Sequence, residues 1–124
     1  MNKLGSIYLT YPKRVVVGSL NYDPRAGTSL VGLDLAALLP ILRETEAKEL
    51  CGYCEPAIEI DEPPYIQADI QWCLKTKRIK LGWICSDSDA TGEVTYAVRL
   101  DVEALLKRFD CIFIHCHPTN VKEE

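Results

Sequence analysis

A chain of 124 residues with 48% apolar and 26% charged residues can bury one core without disulfide support and is ordinary for a globular domain. Its net charge of −4, with Lys and Arg scattered along the chain, speaks against a nucleic-acid partner, and no window reaches the roughly 18 apolar residues that span a bilayer. Met1 to Thr10 lacks the charged start and long apolar core of a signal peptide, so a cytoplasmic protein without membrane contact is expected.

In chain order, Ile7 to Tyr11 and Arg14 to Leu20 read as strands around a Pro12-Lys13 turn, and Asn21 to Gly27 as an exposed loop. Ser29 to Leu33 is a further strand. Asp34 is placed to cap the longest helical pattern, Leu35 to about Glu49, whose stripe of Leu35, Leu38, Leu39 and Leu42 has three- and four-residue spacings. Pro40 must kink that helix or open its main part. The chain looks extended from Tyr53 to Ile60, and Asp61-Glu62-Pro63-Pro64 breaks it.

Ile66, Ala68, Ile70, Trp72 and Leu74 then alternate with polar residues. After a turn at Lys75 to Arg78, Ile79, Leu81, Trp83 and Cys85 do the same. The pattern predicts an antiparallel hairpin with both tryptophans on the core side. Ser86 to Gly92 is a polar loop, Val94 to Leu100 another alternating strand, and Asp101 caps a short helix with Val102, Leu105, Leu106 and Phe109 on one face. Cys111 to Ile114 reads as a short buried strand. No internal repeat is evident. The expected class is α+β (mixed α/β): a single domain over 1–124, a mostly antiparallel sheet with one long and one short helix packed on it.

Chemistry concentrates at His115-Cys116-His117-Pro118. Residues two apart on a strand share a face, so His115 and His117 would project side by side as a pair of metal ligands. A zinc hydrolase also needs a carboxylate to take the proton of metal-bound water, and Glu49, at the predicted helix–strand junction, is the candidate general base. Cys51-Gly52-Tyr53-Cys54 supports two other readings. As a redox Cys-x-x-Cys it lacks a following helix to lower a thiol pKa. With His115 and His117 it could instead make a structural Cys₂His₂ zinc site. The six cysteines (Cys51, Cys54, Cys73, Cys85, Cys111, Cys116) are expected to be mainly buried free thiols.

Glu49-Leu50-Cys51-Gly52 after a helix, a second helix near Val102, and a strand running into His115-Cys116-His117-Pro118 together resemble the JAB/MPN (JAMM) metallopeptidases over about Ser29 to Pro118. The resemblance implies a JAB/MPN-like core at 29–118 behind an N-terminal β extension at 1–28. It also implies zinc held by His115 and His117, Glu49 as base, and cleavage of peptide or isopeptide bonds, ubiquitin-like proteins being among the substrates. The family continues to a Ser-x-x-Asp that supplies the third ligand, whereas Thr119 to Glu124 contains neither residue; Ser86-Asp87-Ser88-Asp89 has the spacing but precedes the histidines. The shortened pattern leaves room for an inactive MPN-like module that binds a protein partner.

Overall fold

The period-two alternation that dominates the chain becomes eight strands in the computed structural model, which describes residues 2–10, 13–56, 63–74, 77–88, 90–109 and 119–122. In order these are β1 (Asn2–Leu9), β2 (Val15–Asp23), β3 (Thr28–Leu33), helix α1 (Leu35–Glu44), β4 (Glu49–Cys54), β5 (Gln67–Leu74), β6 (Lys77–Ser88), β7 (Val94–Asp101), helix α2 (Val102–Phe109) and β8 (Thr119–Lys122). Each strand pairs antiparallel with two neighbours, and the wall closes in the order β1-β2-β3-β8-β5-β6-β7-β4 and back to β1. Inward-facing residues fill the barrel, among them Ile7, Leu20, Val31, Ile70, Ile84 and Leu100, all fully buried.

The expected mixed α+β fold of JAB/MPN type is therefore overturned in favour of a closed antiparallel barrel with two short helices among the described residues. The reason lies at the two ends of the chain. Residues 1–28, assigned to an extension, supply β1 and β2, and Thr119 to Lys122, assigned no element, supply β8. Those three strands turn an open sheet into a closed one, which removes its edges. The long helix is also shorter than expected. Its buried stripe ends with Leu38 and Leu42, Thr45 turns extended while its N–H still bonds the Ile41 carbonyl, and Glu49 begins β4 instead of ending α1.

The barrel is two copies of one unit. The order β1-β2-β3-α1-β4 recurs as β5-β6-β7-α2-β8, and each fourth strand lies between the first strand of its own copy and the third of the other: β4 between β1 and β7, β8 between β5 and β3. The register repeats as well. Gly18 lies opposite Ile7 and Leu33, as Gly82 lies opposite Ile70 and Leu100. In each half a β-bulge falls one residue before that glycine and leaves Val17 or Leu81 as the extra residue, both buried. From Thr28 to Leu39 and from Thr95 to Leu106, Thr28/Thr95, Val31/Val98, Leu33/Leu100, Asp34/Asp101, Ala37/Ala104, Leu38/Leu105 and Leu39/Leu106 are identical. The sequence therefore does contain an internal repeat. It is hidden because the offset between halves is 64 residues at Gly18/Gly82 but 67 at Leu33/Leu100, and because elsewhere the halves share burial rather than residue identity.

The repeat extends to the helix caps. Asp34 Oδ1 accepts the Ala37 N–H at 3.2 Å, and Asp101 Oδ1 accepts the Ala104 N–H at 3.0 Å. Each satisfies an otherwise orphaned donor of a first helical turn. Asp34→Ala and Asp101→Ala should each lower stability by about 1 kcal/mol in urea titrations; no loss in either would remove the caps from the account.

The bulge also decides the tryptophans. Because Leu81 is the extra residue, both Leu81 and Gly82 are buried and the alternation changes phase, so Ile84 faces in and Trp83 faces out. The Arg99 guanidinium then lies 5.0 Å from the Trp83 ring centroid. The expected core-facing pair is thus corrected: Trp72 packs partly against the core, while Trp83 stands on the outer wall.

Candidate functional site

Of the residues singled out for metal chemistry, Glu49, Cys51 and Cys54 lie among the described residues, all on β4. Glu49 is exposed at the start of β4, opposite Asp101 of β7. His115, His117 and Asp89 lie outside the described residues. Thr119, two residues after His117, pairs with Leu30 and Gln71 in β8, which stands four strands from β4 by either route round the wall. The strand register aligns Cys54 with Asn120, since these face Ile7 and Ile70, and Tyr96 and Ser29, respectively. Carried along the sequence by that offset of 66, Glu49 and Cys51 align with His115 and His117.

Cys51 and Cys54 are three apart on one strand and face opposite ways, Cys51 to solvent and Cys54 into the core, so they cannot together grip one ion or close a disulfide. No group of three His, Cys, Asp or Glu side chains among the described residues is placed to hold a metal. Ser86 is engaged in the fold, its Oγ accepting the Ile66 N–H at 2.7 Å while its own N–H bonds the Ile66 carbonyl.

Burial pushes the Cys54 thiol up to about 12 from 9.0. The fold thus favours the protonated thiol, and the unfolded chain releases its proton first. Stability is then intact below about pH 9 and falls as pH rises towards 12, by up to about 1.4 kcal/mol per pH unit. Burial likewise raises the Tyr96 phenol from its ordinary 10.0, which adds to the loss above about pH 10. Denaturant titrations on either side of pH 9 should show the decline, and Cys54→Ala should lessen it between about pH 9 and 10; a flat wild-type profile would contradict it.

The most distinctive surface is the outer wall of β1, β2 and β4. Tyr8 of β1 lies opposite Val16 of β2 on one side and Tyr53 of β4 on the other. The two tyrosine rings are 6.4 Å apart at 42°. The Arg14 guanidinium lies 3.9 Å from the Tyr8 ring centroid, a cation–π contact, and the Tyr8 hydroxyl donates to Glu55 Oε1 at 2.9 Å. Partial burial, followed by that hydrogen bond, raises the Tyr8 phenol above its usual value. Val16 is 54% exposed and Tyr53 41%. Tyr8, Arg14, Val16 and Glu55, with Lys3 and Ser6, border an open depression of about 380 Å³, and Tyr53 stands beyond it on the far side of Tyr8.

The second half provides an internal comparison. The places of Tyr8, Val16 and Tyr53 are taken there by Gln71, Lys80 and Thr119, since Gln71 lies opposite both Lys80 and Thr119. Lys80 is paired with Asp69 at 3.2 Å, and Asp69 holds the place of Ser6. The same positions of the same unit are therefore polar in one half and aromatic or aliphatic in the other, so barrel formation does not require the apolar set. Reading Ile7 to Tyr11 and Arg14 to Leu20 simply as strands passed over this surface; its only trace in the sequence is an apolar residue at a position where alternation should give a polar one.

The fold and site thus define a pseudo-symmetric β-barrel with one specialised aromatic–cationic wall. No protein-family model, curated protein or solved structure matches the chain. No helix among the described residues is long and apolar enough to cross a membrane.

Proposed function

We propose that this barrel is a non-catalytic protein-binding module whose contact surface is the wall built from Tyr8, Arg14, Val16 and Tyr53, acting in the cytoplasm. The observation that carries the reading is the contrast between halves: three register positions held by Gln71, Lys80 and Thr119 in the second unit are Tyr8, Val16 and Tyr53 in the first, where Val16 and Tyr53 are exposed. Exposing apolar area without structural need has a solubility cost that binding would offset. Tyr and Arg are also the residue types that anchor protein interfaces, because they give large contact area for few rotatable bonds together with a polar tip. A closed barrel has no strand edge to offer a partner, so recognition falls to outward side chains.

The test borrows the second half's own residues. A Val16→Lys/Tyr53→Thr double variant should fold with stability within about 1 kcal/mol of wild type. It should bind a partner captured by wild type at least about a hundredfold more weakly, as loss of central anchors does. Tyr65→Thr, which alters an exposed tyrosine just before β5, should retain that partner. Undiminished binding by the double variant would overturn the assignment.

A second reading is the zinc-dependent hydrolysis of peptide or isopeptide bonds suggested by Glu49, His115 and His117, supported by the His-x-His-Pro sequence itself. Stoichiometric zinc that is lost in His115→Ala, with a cleavage activity that is lost in Glu49→Ala, would replace the binding-module reading.

A further inference from the structure

On the binding-module reading above, we infer that the partner presents an extended acidic segment, carboxylates interspersed with an aliphatic residue, to the Lys3–Arg14–Val16–Tyr53 wall. Three observations converge on that chemistry.

The first is charge. The chain carries −4 overall, yet Lys3 and Arg14 border the depression, and Lys13, next to Arg14 in sequence, is exposed. Among the described residues neither Lys3 nor Arg14 forms an ion pair, whereas Lys80 in the second half is neutralised by Asp69. The one carboxylate in the depression, Glu55, already accepts the Tyr8 hydroxyl. With Lys3 and Arg14 against the one carboxylate of Glu55, the depression is net positive on an acidic protein, the complement of a negative ligand.

The second is preorganisation. Arg14 lies against the Tyr8 ring at 3.9 Å, and stacking restrains a guanidinium whose N–H donors lie in its own plane. Those edge donors match a carboxylate bidentately, and less side-chain freedom is lost on binding than for a free arginine. The third is the apolar flank. Val16, beside the cations, and Tyr53 stand on either side of Tyr8, so a ligand bearing charge alone would leave them uncovered.

Nucleic acid fits less well. Phosphate-backbone binding draws on some six to ten cationic contacts, and the depression has two cations, Lys3 and Arg14, beside a glutamate. An anionic membrane surface would call for a denser basic cluster with apolar side chains free to insert, whereas Tyr8 is covered.

The experiment is amide chemical-shift mapping on the full chain. The probes are a short synthetic peptide alternating Glu and Leu, its Lys/Leu counterpart, phosphatidylserine-containing vesicles and oligo(dT). The acidic peptide should shift the amides of Lys3, Tyr8, Val16 and Tyr53, more weakly as salt is raised, and Arg14→Glu should reduce its affinity about tenfold. Lys3→Glu, on a different strand, should act in the same direction. If the Lys/Leu peptide shifts these amides equally, or if vesicles or oligo(dT) do so while the acidic peptide does not, the acidic-segment proposal falls but the wall remains a binding surface. If no probe shifts them, the proposal falls. The binding-module reading falls with it only if Val16→Lys/Tyr53→Thr also keeps the partner of the wild-type protein.

Discussion

Gly82→Ala is expected to destabilise the protein by roughly 3 kcal/mol or more, lowering Tm by about 10 °C or preventing folding. A methyl group at Gly82 would fall well inside contact distance of the Arg99 carbonyl oxygen and 3.0 Å from Leu100 Cα. Both are backbone atoms of the paired strand β7, so no rotamer change can relieve the clash, and β6 and β7 would have to part. Gly18→Ala should be comparably severe, because it meets the Gly32 carbonyl and lies 3.3 Å from Leu33 Cα in the corresponding place of the first half. Gly32→Ala is the control. The nearest atom there is Ser19 Oγ at 3.6 Å, an ordinary side-chain contact, so its effect should stay within about 1 kcal/mol. Thermal melts of the three variants decide the matter. A Gly82→Ala protein that melts with wild type would show that the two strands do not approach as closely as described.

Tyr96→Ala should cost about 3–5 kcal/mol. Tyr96 is the largest of the fully buried side chains among the described residues, and its removal leaves a cavity at the β7 position that closes on β4 and β6. Its hydroxyl also donates to the Pro64 carbonyl at 2.7 Å, tying the approach to β5 onto the barrel. Tyr96→Phe keeps the volume and loses only that bond, so about 1 kcal/mol is expected. Chemical denaturation of both variants separates packing from hydrogen bonding; equal losses would mean that the hydroxyl matters more than the ring. The site also shows how the halves compensate for one another. Ser86 faces Tyr96, while in the first half Tyr22 faces Ser29, so one large and one small residue share each pair with their places exchanged.

Local patterns were readable where the physics is local. Asp34 and Asp101 cap helices as their positions before apolar stripes implied, and the alternations at Ile66 to Leu74 and Val94 to Leu100 are strands. A bulge is harder to read, because one inserted residue changes which face every later side chain takes. That is why Trp83 is outside and why Leu81 and Gly82 are both buried.

For the site, the sequence drew attention to Glu49, Cys51, Cys54, His115 and His117 because those residue types carry chemistry, yet spacing along the chain does not specify spacing in a barrel. Cys51 and Cys54 are three apart and face opposite ways. Tyr8, Val16 and Tyr53 are separated by up to 45 positions and form one surface.

What the chain by itself determined is most of its local elements: alternation selects strands, and spaced leucines behind an aspartate select helices. Only the tertiary structure decided that β8 lies between β3 and β5 and β4 between β1 and β7. Strand pairing depends on backbone hydrogen bonds between distant segments, and these carry no residue-specific mark in the sequence. The exchange of fourth strands closes the barrel, makes the two halves one core, and leaves Tyr8, Val16 and Tyr53 on its outer wall.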